Sequence, residues 1–242
     1  MIMVFHYFQN LTFENPVISK IVKLTLFGQT GVTLFFVLSG FLITRILIFA
    51  KEDDNYFKNF YIRRALRIFP LYYLFLIIYY FAIPLIFNQP FTPFLEQIYY
   101  YTYIQNFSYT FGWGGSGPLH FWSLAVEEHF YLFWPIIVYY TSNKSLSKII
   151  VLITIGAIIL RSIFVFYDLE VFYFTFTRFD SLAIGAYLAI LEKNDQLSLK
   201  HLSKIKMGLF FTFITTLIFW VLFSGEGQNF MQIIKFTLLS LT

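Results

Sequence analysis

The 242-residue chain contains no cysteine, which removes disulfides, thiolate metal sites and a cysteine acyl-enzyme from consideration. Charge is scarce as well. Asp, Glu, Lys and Arg make up 12% of the residues, against about 25% in an ordinary soluble domain. What fills their place is apolar: 58% of residues are hydrophobic and 23% aromatic, with a mean hydropathy of +0.69. So little polar surface excludes disorder and argues against a soluble globule, and lipid is expected to cover much of the exterior. The fold class that follows is an all-α, polytopic transmembrane helical bundle.

Apolar runs of about 20 residues, the length that crosses a bilayer as a helix, fall at 26–49, 68–88, 120–141, 148–167, 173–191, 207–223 and 230–242. Residues 1–8, MIMVFHYF, read as the tail of a further span, and the last run is short. Seven to eight spans are therefore expected, in one domain over 1–242, with both ends cut within a span. The segment FLEQIYYYTYIQNF, 94–107, is amphipathic and short, and is expected to lie at the interface. Lys and Arg also have a distribution. They gather at 51–67, 144–148 and 193–206 and are missing from 89–119, 168–172 and 224–229. That alternation is the positive-inside pattern, provided 94–107 does not cross, and it places the basic loops in the cytoplasm. It also accounts for the net charge of +4 without nucleic acid as a partner.

Within the apolar runs a few polar residues stand out. HFWSLAVEEHFYLFWP, 120–135, carries Glu127 and Glu128 in the middle of a span, where each ionised carboxylate costs about 2.5–3.5 kcal/mol on insertion scales. The 3.6-residue period places His120, Ser123, Glu127, Tyr131 and Trp134 along one stripe, with Glu128 turned about 100° away. That stripe suits polar chemistry, or a pairing with a buried cation such as Arg178 that fixes the bundle. FYIRRALRIFPLYY, 60–73, sets Arg64 and Arg67 three apart on one helix face. Guanidinium forks suit phosphate groups such as those of coenzyme A; the other reading is anchoring by contact with lipid headgroups. His6 in VFHYFQN offers a neutral imidazole near the outer boundary, able to act as a base or to do nothing. Ser39 and Gly40 in LFFVLSGFLI signal close helix packing, with the hydroxyl satisfied by the preceding turn. Arg178 and Asp180 in TRFDSLAIGAYLA open a span as an ion pair or a sugar-binding pair. The Gly-rich GWGGSGP, 112–118, lacks the context of a nucleotide loop.

Taken in order, FHYF, GVTLFFVLSGFLI, FYIRRALRIFPLYY, HFWSLAVEEHFYLFWP and RFDSLAIGAYLA resemble the membrane-bound acyltransferase 3 family of bacterial O-acetyltransferases. The resemblance implies transfer of an acyl group, usually acetyl, from cytoplasmic acyl-CoA to a hydroxyl of a cell-surface or lipid-linked glycan. It implies acyl-CoA as donor substrate, with no bound cofactor and no metal. By matching motif, His6 is the family's essential histidine, Arg64 and Arg67 its RxxR pair and Glu127 its first WSLAVE glutamate. Ser39, Glu128, Arg178 and Asp180 are then acceptor-binding or structural polar residues. The rival reading is a transporter or flippase in which Glu127, Arg178 and Asp180 line a polar path. A cytoplasmic arginine fork with a histidine across the membrane suits a donor–acceptor enzyme better, and no inverted repeat is visible.

Overall fold

The computed structural model describes residues 28–197, 206–208, 210–212, 214–216, 218 and 228–241. Among the described residues the secondary structure is helical throughout, without strands. Helix α1 (Gly28–Phe49) is an apolar run without proline that stops where the sequence turns polar, at 51–55. Helix α2 (Tyr56–Ile77) continues through a π-helical turn (Ile78–Ala82) into α3 (Ile83–Phe87). It ends at Asn88, whose left-handed backbone (φ 50°) closes the helix as Asn often does. Next come two short helices, α4 (Phe94–Tyr101) and α5 (Gln105–Phe111), then a 3-10 turn (Leu119–Phe121) leading into α6 (Trp122–Tyr140). Helix α7 (Asn143–Phe166) starts from an N-cap at Ser142, whose hydroxyl accepts from the Ser145 amide at 3.2 Å. The described elements close with α8 (Phe179–Lys193) and α9 (Gln228–Leu241).

Three stretches are long and apolar enough to cross a membrane: Gly31–Phe49, Tyr56–Phe87 and Asn143–Phe166. The second starts twelve residues before the apolar run at 68–88, so Arg63, Arg64 and Arg67 sit on the spanning helix itself. Helices α4 and α5, of 8 and 7 residues, rise about 12 and 10 Å at 1.5 Å per residue and cannot cross a core of about 30 Å. The run expected to span 173–191 divides differently. Residues 168–178 are irregular, pinned by the Thr177 hydroxyl donating to the carbonyls of Val171 (2.6 Å) and Phe174 (2.7 Å), and α8 keeps only 15 residues. The run at 207–223 lies largely outside the described residues.

The core sits where α1, α6 and α8 meet. Gly40 and Gly185 bring α1 and α8 backbone to backbone: a Cβ at Gly40 would strike the Leu182 carbonyl, and one at Gly185 the Val37 carbonyl. The basic loops gather at one end of the bundle. Lys51 donates to the Thr141 carbonyl at 2.5 Å, Arg45 pairs with Glu192 at 2.8 Å, and Lys51, Glu52, Tyr139 and Lys193 line one hollow. At the opposite end tyrosines fasten the short helices to α2. The hydroxyls of Tyr72 and Tyr73 donate to the carbonyls of Tyr100 (2.8 Å) and Tyr101 (3.1 Å), and that of Tyr80, turned inward by the π-helical turn, to Ser116 (2.8 Å).

Candidate functional site

Glu127 lies on the buried face of α6, 4% exposed. One turn further, Tyr131 turns the same way and its hydroxyl bonds that of Ser39 on α1. Glu127 lies on the same face of α6 as Tyr131, and its Oε1 has no partner among the described residues. From the third side α2 brings Arg64, whose guanidinium lies 3.9 Å above the Tyr131 ring, a cation–π contact. Arg67 follows one turn along α2 and lines the same cavity as Arg64. Trp134 completes the α1–α6 seam, donating from Nε1 to Thr44 Oγ1 at 2.7 Å. The period-3.6 stripe thus faces α1 from Glu127 to Trp134, whereas His120 sits in the 3-10 turn and is exposed. Ser39 bonds across to Tyr131, a long-range partner in place of the preceding turn.

Between α1 and α2 lies a cavity of about 350 Å³. One wall is aliphatic, from Leu42, Ile43, Ile46 and Leu47, and Arg63, Arg64 and Arg67 line it from α2. Asp53 lies toward the basic end, where the Asn55 amide (2.9 Å) and the Asn59 side chain (2.9 Å) hold its carboxyl below the usual carboxylate range. The arrangement combines an apolar slot with three guanidinium groups, the chemistry of a site for a phosphorylated molecule with a thin apolar arm. No group of three or more His, Asp or Glu able to hold a metal ion occurs among the described residues.

The acyltransferase domain of the acyltransferase 3 family matches residues 1–242. The chain belongs to the acyltransferase 3 family. Similar proteins include the proposed peptidoglycan O-acetyltransferase YrhL of Bacillus subtilis, 32% identical over 230 residues, which are 84% of this chain and 36% of the relative. The peptidoglycan O-acetyltransferase OatA of Listeria monocytogenes is 32% identical over 232 residues, 84% of this chain and 36% of its own. The O-acetyltransferase OatA of Staphylococcus aureus is 33% identical over 183 residues, 68% and 30% respectively. The chain spans about a third of the length of these curated relatives. No solved structure matches it.

In this acyltransferase 3 chain the structure brings Ser39, Arg64, Arg67 and Glu127 together from three helices, with Tyr131 at their centre. Arg178 and Asp180 lie elsewhere and do not pair with each other. Asp180 pairs with Arg161 of α7, Oδ2 to Nη1 at 2.9 Å, both fully buried. Arg161 also donates to the carbonyls of Thr177 (2.5 Å) and Ile233 (2.6 Å) and to Thr237 Oγ1 (2.6 Å), so its hydrogen-bonding capacity is largely used. Arg178 donates from Nη2 to Thr33 at 2.9 Å and lies 3.7 Å over the Phe236 ring. Its Nε and Nη1 have no partner among the described residues. His6 lies outside the described residues. Arg161, Tyr103, Asn106 and Thr175 went unnoticed in the sequence. A lone arginine inside an apolar run was the available signal for the first; hydroxyl and amide residues in aromatic segments carry none.

Proposed function

We propose that the chain is the membrane part of an O-acyltransferase that moves an acetyl group from acyl-CoA to a hydroxyl of a peptidoglycan-type glycan. The observation that carries this reading is the cavity between α1 and α2, with Arg63, Arg64 and Arg67 along it and the Glu127–Tyr131–Ser39 cluster behind Arg64. Arginine forks grip the CoA phosphates, and the aliphatic wall takes the pantetheine arm and leads the thioester toward Arg64. The names of the relatives supply the acceptor class. The basic end faces the cytoplasm of a bacterial inner membrane, which the chain crosses seven to eight times.

In the transfer, the acceptor hydroxyl oxygen bonds the thioester carbonyl carbon, the carbon–sulfur bond breaks, and the hydroxyl proton ends on the CoA sulfur. His6 takes that proton in the first instance, Glu127 holds the polar groups in place, and fixed donors stabilise the oxyanion. Family membership favours transfer over a transporter reading of the same charges.

Binding of labelled acetyl-CoA to the protein in lipid nanodiscs, and transfer of the label to solubilised peptidoglycan, test the proposal together. Arg67→Lys, which keeps the charge but loses the planar fork, should weaken donor binding about tenfold. His6→Ala should bind donor normally and transfer about 10²–10⁴-fold more slowly. Wild-type protein that does not bind acetyl-CoA, or variants indistinguishable from it in both assays, would reject the reading.

A further inference from the structure

A second cavity, of about 280 Å³, lies between α2, α6 and the break at 102–104 that separates α4 from α5. Phe60 and Arg64 line both cavities, so the two share a wall. Two residues of the second cavity's lining carry unpaired polar atoms. Tyr103, only 7% exposed, has a hydroxyl with no partner, and Oε1 of Glu128 has none either. His129 beside them is fixed rather than loose: its Nδ1 lies 2.9 Å from Thr175 Oγ1, which accepts from the Asn106 amide at 2.9 Å.

Tyr103 is held in this lining against its backbone preference. Its φ is 59°, a left-handed value that bulky residues rarely adopt, and its ring stacks on Tyr72 with centroids 4.4 Å apart. Buried polar atoms in folded proteins are nearly always hydrogen-bonded. Two of them left unmade on residues that line one cavity, with the Arg64 guanidinium in the same lining, describe a site completed by a ligand that brings its own donors and acceptors.

We infer that this second cavity binds a neutral sugar ring of the acceptor, with Glu128 accepting from one sugar hydroxyl and the Tyr103 hydroxyl bonding another. This rests on the acyl-transfer reading and supplies its acceptor subsite. Glu128 and Arg64 both line this cavity, so its wall offers an acceptor as well as donors, which hydroxyl groups fit better than a carboxylate or phosphate. The volume lies at the lower edge of small-molecule pockets, about 300 Å³, which suits one ring and not a nucleotide. Aromatic faces from Tyr61 and Phe69 complete the walls, the surface that sugar C–H groups pack against. A ring seated there is separated from the donor cavity only by Phe60 and Arg64, which line both.

The test uses chitotetraose, a neutral N-acetylglucosamine tetramer, titrated by calorimetry into the protein in nanodiscs, with acetyl-CoA titrated separately. Glu128→Gln and Tyr103→Phe each remove one hydrogen-bonding group at nearly constant volume. Each should weaken chitotetraose binding about threefold to tenfold; Tyr103→Phe should leave acetyl-CoA binding at the wild-type value and Glu128→Gln should not weaken it, which also reports that the variants are folded. No chitotetraose binding by the wild type, or equal affinity in the wild type and both variants, overturns the inference. Binding of chitotetraose that depends on Glu128 in a protein that does not bind acetyl-CoA would keep the site and reject the donor reading instead.

Discussion

Asp180 and Arg161 are each fully buried, and the carboxylate is the only acidic partner recorded for that guanidinium among the described residues. Taking the charge from Asp180 leaves Arg161 uncompensated in a dry interior, a change that typically costs about 3–5 kcal/mol. Asp180→Asn should therefore lower the thermal unfolding midpoint in nanodiscs sharply, and the double change Asp180→Leu with Arg161→Met should recover most of the loss. A midpoint for Asp180→Asn equal to the wild type would show that the pair does not stabilise the fold. The same residues show how far side-chain partners can be read from sequence. Proximity points from Asp180 to Arg178, yet residues two apart in or near a helix do not face each other. The actual partner is 19 positions away on another helix. Glu127, Tyr131 and Trp134 were readable as one face because helical period alone places them. Ser39 as the partner of Tyr131 was not, since that bond depends on the register between α1 and α6.

Helices α1 and α8 touch through their main chains at Gly40 and Gly185. A methyl group at either position overlaps the facing carbonyl, and overpacking of that kind costs about 1–3 kcal/mol. Gly40→Ala and Gly185→Ala should each lower the unfolding midpoint, whereas Gly156→Ala on α7, with nothing within 4 Å of the added carbon, should leave it unchanged or raise it, since Ala favours helix over Gly. Equal effects at Gly40 and Gly156 would mean that the close approach carries no stability. Helix α7 and the apolar part of α2 were legible as long uninterrupted apolar runs. The error at 173–191 arose because FYFTF reads as apolar whether or not it is helical. What decides its shape is the set of threonine-to-carbonyl bonds at 171–177, which hydropathy does not register.

Seen whole, the bundle has a basic end, where Lys51 reaches Thr141, and an aromatic end, where Tyr80 reaches Ser116. If the basic end is cytoplasmic, a membrane-impermeant thiol reagent applied to intact cells should label a cysteine at Ser116 and miss one at Asn55. The native chain supplies no competing thiol. Labelling in the opposite sense would invert the orientation and with it the side from which donor enters.

The buried pair also sets a schedule for biogenesis. Arg161 leaves the ribosome 19 residues ahead of Asp180, an interval of about one to four seconds at 5–20 residues per second. For that time α7 holds an arginine with no counter-ion near one of its ends, where the long side chain can reach the headgroup layer. Only when the carboxylate arrives can the guanidinium withdraw from the interface into the protein, so α7 and α8 settle into the bilayer as a couple.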